Sequence, residues 1–180
     1  MLEIVIPPIE GWDEEKQEFV TTKGATLLLE HSLISLSKWE AKWNKPYLDK
    51  NDKTNEETID YIRCMTLNKN VDPDVYNYIS QDNIMKIYEY IHAPMTATTF
   101  NTFQKKSFDR TIVTSELIYY WMVALNIPFE CEKWHINRLL TLIRVCEVKN
   151  APPKKMSKRE LMNQYASLNA SRRKKYNSKG

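Results

Sequence analysis

The stretch from Thr114 to Val148 is the densest hydrophobic run in the chain, and it leaves few folds open. It reads as two apolar helices joined by the tight break Asn126-Ile127-Pro128. In the first, Leu117, Ile118, Tyr120, Trp121, Ala124 and Leu125 share one broad face of a 3.6-residue helix. Thr114 is placed to cap it, Glu116 sits where the helix dipole favours an anion, and Pro128 forbids continuation. The second helix is expected to start near Glu130. Lys133, Asn137, Thr141 and Arg144 form its narrow polar stripe, and Trp134, Ile136, Leu139, Leu140, Leu142, Ile143, Val145 and Cys146 cover the rest. A helix apolar around most of its circumference is buried on more than one side. It is therefore either the central helix of the core or a helix partly covered by a partner, and core helices are the commoner case.

A chain of 180 residues suffices for one domain with a real core. Its only glycines are Gly11, Gly24 and Gly180, so neither the Walker loop nor the dinucleotide fingerprint can be written in it. Low glycine with abundant Lys, Glu, Leu and Met favours helix. Cys64, Cys131 and Cys146 lie far apart among apolar residues and read as reduced core thiols. Met1-Leu2-Glu3 lacks the basic start of a signal peptide, the longest apolar run (Leu117 to Leu125) is too short to span a bilayer, and no lipidation motif is present. A cytosolic chain with no membrane partner is the expectation.

Read in order, Leu2, Ile4 and Ile6 alternate as a short strand stopped by Pro7-Pro8. Glu10 to Asp13 reads as a turn. Glu18 to Thr22 and Ala25 to His31 read as strands around Lys23-Gly24, giving a small antiparallel sheet of two or three strands. Ser32 caps a helix carrying Leu36, Trp39 and Trp43, ended by Pro46. Thr54 to Glu57 spells a capping box before Ile59, Ile62 and Met65. Asp72-Pro73 opens a short helix with Val75, Tyr76 and Ile79, and Ser80 caps another with Ile84, Ile87, Tyr88 and Ile91. Pro94 to Val113 has no helical period and reads as a long loop, with room for a hairpin of Thr98–Asn101 and Thr111–Val113. The fold class is α+β, mainly helical. A single globular domain over 1–150, β-rich to residue 31, is followed over 151–180 by a proline linker (Ala151-Pro152-Pro153) and a basic helix. That helix opens on a second capping box at Ser157-Lys158-Arg159-Glu160 and ends near Lys175.

Few residues are arranged for chemistry. Cys131 and His135, four apart on the expected second helix, have the spacing of two metal ligands or of a thiol with its base; a core thiol beside a hydrogen-bonded histidine fits as well. Glu14-Glu15 and Glu56-Glu57 are acid pairs, but neighbours on a helix do not face each other. No nucleophile elbow or His-Glu-x-x-His is present. Trp39 and Trp43 interleaved with Lys38, Lys42 and Lys45 suit stacking on a single strand, or equally an aromatic core pair with lysines in water. No catalytic residue, metal or cofactor is assigned.

Charge is split along the chain. Residues 154–180 hold nine Lys/Arg against Glu160 alone, a net +8, and the net +3 of the whole leaves −5 on residues 1–153. The candidate partner-binding residues are Lys158, Arg159, Arg172, Arg173, Lys174 and Lys175, with Leu161, Tyr165 and Leu168 as a thin apolar stripe. The cations suit nucleic acid, an acidic protein or this protein's own core; the stripe favours docking on a protein groove.

Several strings carry a likeness to a known family: Leu29-Glu30-His31-Ser32-Leu33, Ser37-Lys38-Trp39-Glu40, Tyr61-Ile62-Arg63-Cys64-Met65-Thr66, Met95-Thr96-Ala97-Thr98-Thr99-Phe100, Ile118-Tyr119-Tyr120-Trp121-Met122, Ile127-Pro128-Phe129-Glu130-Cys131, Trp134-His135-Ile136-Asn137-Arg138-Leu139-Leu140 and Ala151-Pro152-Pro153-Lys154-Lys155-Met156. Over roughly its whole length the chain resembles the tail assembly chaperones of tailed bacteriophages. The resemblance implies a binding protein, not an enzyme, working in the host cytoplasm. Such chaperones coat the tape-measure protein until tail tube subunits polymerise around it, and are usually absent from the virion. A longer form is often made by frameshifting, and an end at Lys179-Gly180 fits the short one. The implied partners are the tape-measure or tail tube protein, with self-association through the basic tail as a further expectation. The family carries no catalytic or ligand residue onto this sequence. Met65, Met85, Met95, Met122 and Met162 fit either an adaptable binding surface or core filler. The alternatives are a structural component of the virion neck or tail, and a nucleic-acid-binding protein acting through the basic helix.

Overall fold

The computed structural model describes residues 1–13, 17–100, 112–151 and 157–177. The fold is α+β and mainly helical, with a small antiparallel N-terminal sheet. The chain divides into two compact units, Met1–Glu147 and Val148–Gly180.

The first unit opens on four strands, β1 (Leu2–Ile6), β2 (Ile9–Asp13), β3 (Glu18–Thr22) and β4 (Ala25–Leu29). β1 pairs with β4 and β2 with β3, both antiparallel. One register runs from Leu2↔Leu29 to Asp13↔Glu18, so the four strands are a single long ribbon interrupted where Pro7-Pro8 faces Lys23-Gly24. Proline cannot donate to the ladder, which forces the break. Gly24 makes it sterically feasible: its φ is +66°, and a Cβ there would lie 2.7 Å from the Ile6 carbonyl oxygen. The expected turn at Glu10–Asp13 is instead strand β2. Gly11 and Asp13 suggested a bend, but the ladder with β3 outweighs local preference as far as Asp13↔Glu18. Alternation puts Ile4, Ile6, Leu27 and Leu29 into the core, each burial contributing about 2 kcal/mol.

β4 stops at Leu29 because residues 30–32 serve other partners. Glu30 N–H donates to Met65 O at 2.9 Å and Ile136 N–H to His31 O at 2.7 Å. Ser32 Oγ then accepts the Ser35 N–H and caps α1 (Leu33–Trp43). Around α1 are packed α2 (Asn55–Met65), α4 (Ser115–Ala124) and the 3-10 turn Phe129–Lys133; the 3-10 turn Pro73–Tyr78 packs on α2 and α3 (Gln81–His92) on β1. The organising element is therefore α1 and not the 114–148 hairpin. Apolar density misled here because α1 buries polar residues, Ser35 and Glu40, beside Leu33, Leu36 and Trp39.

Glu40 shows why a carboxylate belongs inside. Its Oε1 accepts the Tyr47 N–H at 2.9 Å, and its Oε2 accepts the Ser115 N–H at 2.7 Å, at the N-terminus of α4. Both oxygens must accept, so an amide cannot replace the group: its NH2 would face an N–H. Glu40→Gln is expected to cost about 2–3 kcal/mol, read as a lowered urea midpoint at unchanged slope. A loss as small as that of a surface Glu→Gln change would contradict the pinning role.

Thr54 and Glu57 form the full capping box of α2. The lysines of α1 reach the same helix: Lys45 Nζ donates to Glu57 and Lys42 Nζ to Asp60. The Lys45 contact, then the Thr54 backbone N–H, hold the Glu57 carboxyl below its ordinary pKa. Asp72 caps as expected, but its helix is 3-10.

The second helix of the hairpin does not start near Glu130. Phe129–Lys133 is a 3-10 turn, and α5 runs from Ile136 to Asn150. The interruption at Trp134-His135 arises because this segment bridges to Ser32, which breaks the helical ladder. Nor is α5 buried all round: Ile136, Leu139 and Ile143 are buried, while Leu140, Leu142, Val145 and Cys146 are half-buried. Its polar stripe is partly enlisted, since Asn137 Nδ2 donates to Ile91 O and Ala93 O and so caps the end of α3. Of the hairpin expected within Pro94–Val113, residues 98–100 and 112–113 form no strand, and the rest lies outside the described residues. No helix among the described residues is long and apolar enough to cross a membrane.

Candidate functional site

The residues singled out in the tail all lie on α6 (Lys158–Tyr176), in the second unit. Helix is expected there: Leu, Met, Gln, Ala, Lys and Arg propagate it, and Arg173, Lys174 and Lys175 in the last turn face the negative end of the dipole. Every α6 side chain described is exposed, the apolar ones included: Leu161, Met162, Tyr165 and Leu168 stand 41–65% exposed. Met162, beside Leu161 in sequence, widens the stripe read from spacing alone. The proline linker 152–156 and the Glu160 side chain of the expected capping box lie outside the described residues, and Leu161 N–H donates to Ser157 O at 3.0 Å.

The first unit holds a cleft of roughly 720 Å³ between the 47–53 segment and α3. His31, Tyr47 and Tyr61 line it, with Tyr47 stacked on Tyr61 at 3.7 Å between ring centroids. Lys53 Nζ sits 4.8 Å from the Tyr47 ring, and Tyr88 and His92 stand at the opposite side. These residues are scattered between His31 and His92, and no motif connects them in the sequence.

His31 of the cleft wall pairs with His135 behind it, with ring centroids 5.0 Å apart and edge to face. His135 Nδ1 accepts the Asn137 N–H, so Nε2 carries the proton and donates to Tyr90 O at 3.0 Å. His31 Nδ1 and Tyr61 Oη share a buried hydrogen bond of 2.5 Å, and burial holds the Tyr61 hydroxyl protonated. Burial, then His135, bring the His31 pKa down to about 3, and burial likewise lowers that of His135. Both rings are neutral near pH 7 and sit as hydrogen-bonded core groups.

The Cys131–His135 pair is not on one helix: Cys131 lies in the 3-10 turn and His135 at the entry to α5. Burial pushes the Cys131 and Cys64 thiols up, which keeps them protonated and poorly nucleophilic. Among the described residues no three His, Cys, Asp or Glu side chains gather as metal ligands. The aromatic–lysine interleaving of α1 belongs to the core. Trp39 Nε1 donates to Glu57 O, Trp43 Nε1 donates to Asp60, and Lys42 and Lys45 are paired with Asp60 and Glu57. Met65 and Met122 are fully buried core filler, whereas Met85, Met95 and Met162 are exposed. Comparison with known proteins adds nothing to this geometry: no family model, curated protein or solved structure matches the chain.

Proposed function

We propose that this chain is a bacteriophage tail assembly chaperone that binds a tail protein, the tape-measure protein or the tail tube subunit, in the host cytoplasm during virion morphogenesis. One observation carries the reading: α6 holds a run of apolar side chains in solvent between clusters of cations. Exposed apolar side chains gathered on one helix, rimmed by charge, suit helix-in-groove capture of another protein. The sequence resemblance supplies the class of partner. The cations of α6 favour a second reading, nucleic-acid binding, and a structural role in the neck or tail is the third.

The test is a tagged pull-down from phage-infected cells with the full chain and with a chain ending at Asn150. Recovery of tape-measure or tube protein by the full chain, lost on shortening, is the expected result. Nucleic acid alone, or only proteins of the mature virion, would overturn the proposal in favour of the second or third reading.

A further inference from the structure

Along α6, Lys158, Leu161, Tyr165, Leu168, Arg172 and Lys175 recur at alternating intervals of three and four residues. That is the spacing of the seam by which two helices pack in a coiled coil. The three inner positions are apolar and the three outer ones are cations. At 1.5 Å of rise per residue, the apolar waist is about 10 Å long and Lys158 and Arg172 stand roughly 21 Å apart.

A second copy of α6 does not fit this seam. In parallel, Lys158 meets Lys158, Arg172 meets Arg172 and Lys175 meets Lys175. In antiparallel, with Tyr165 opposite Leu168, Lys158 meets Lys175 and Arg172 is laid against Leu161. Each arrangement holds like charges together or puts a guanidinium against an apolar side chain. A nucleic acid would satisfy the cations at both ends but leaves Leu161, Tyr165 and Leu168 against phosphates and water. A helix with carboxylates facing both ends and apolar side chains at the waist satisfies all six positions.

We propose that α6 is one half of a helix–helix seam whose other half is a helix of a different protein, patterned carboxylate, apolar, carboxylate in the same heptad phase. This deepens the reading above, since it names the chemistry the bound tail protein must display.

The experiment is a fluorescence-anisotropy titration of the full chain against three labelled helix-forming peptides of about three heptads. The first has Leu at the waist and Glu at both ends, the second Leu with Lys ends, the third Ser with Glu ends. The expected result is binding of the first at least tenfold tighter than of either other. Leu161→Ser with Leu168→Ser should abolish that preference over the Ser-waist peptide, and Arg172→Glu with Arg173→Glu should weaken the first peptide tenfold or more and move preference toward the Lys-ended one. Circular dichroism of the variants checks that helix is retained, and the charge reversal serves if the serine variant loses it.

Equal binding of the first and third peptides, with duplex DNA bound as tightly as either, overturns the proposal in favour of a polyanion site. Concentration-dependent dimerisation lost with the serine pair also overturns it, since a second copy would then fill the seam. A pull-down that recovers no tail protein while the peptide preference holds removes the chaperone reading and leaves this inference standing; tail-protein recovery without peptide preference does the reverse.

Discussion

Trp39→Ala is expected to lower the stability of the Met1–Glu147 unit by about 3–5 kcal/mol, a large part of what a domain of this size possesses. The ring is fully buried, edge-on to Tyr47 at 5.1 Å and to Tyr61 at 6.5 Å between centroids, and stacked on Trp43 at 6.2 Å. Truncation leaves a cavity at the junction of α1 and α2. It also removes the indole N–H that donates to the Glu57 carbonyl at 2.9 Å, a bond that ties α1 to the first turn of α2. Trp39→Phe separates the two effects, since it keeps most of the volume and loses the hydrogen bond and a part of the ring, at a cost of about 1–2 kcal/mol. Urea unfolding followed by circular dichroism reads both, and an alanine variant as stable as the phenylalanine one would show that Trp39 does not hold the two helices together.

Acid should unfold the same unit well above the pH at which its carboxylates alone would fail. His31 has an ordinary pKa of 6.5 and one of about 3 in the folded chain. Between those values the unfolded chain binds the proton and the folded chain does not. Stability therefore falls as pH falls from about 6.5 toward 3, by about 1.4 kcal/mol per pH unit and about 5 kcal/mol in all from this residue. His135, also lowered, pulls in the same direction, and the depressed Glu57 adds to the loss in the carboxylate range. The groups facing His31 give a proton no welcome, since burial strips its hydration and His135 and His92 share its sign when charged. Replacing His31 with glutamine removes the titration, and the slope of stability against pH between 6 and 4 should become shallower than in the unchanged chain. An unaltered slope would assign the acid sensitivity elsewhere.

Much of the architecture is legible from capping chemistry. Ser32, Thr54, Asp72, Ser80 and Thr114 each start the element expected of them, because a cap is a local bargain between one side chain and one or two backbone groups. What eluded the sequence is non-local. The break at Trp134-His135 depends on a bridge to Ser32, a hundred residues earlier. Strand β2 depends on β3, and the burial of Glu40 depends on a donor at Ser115. Apolar density pointed to Thr114–Val148 as the centre, yet α1 is marked by buried polar groups with partners, Ser35 and Glu40, rather than by their lack. The helix of α6 was legible because a helical period is local and needs no distant partner to be read. The cleft at His31, Tyr47 and Tyr61 left no trace, since aromatic residues gathered from separate segments carry no spacing.

The proline break in the ribbon has a consequence for the protein at high concentration. A two-stranded sheet exposes two open edges, and an open edge recruits strands from other molecules into growing aggregates. Here the outer edge of β1 offers a ladder only five residues long before Pro7-Pro8, whose missing N–H groups remove one donor from each edge of the strand. Asn83 Nδ2 already occupies the Val5 carbonyl on that strand. An incoming strand can therefore pair along β1 or along β2 but cannot run through both, and the ribbon is a poor template for the sheet growth that its length would otherwise invite.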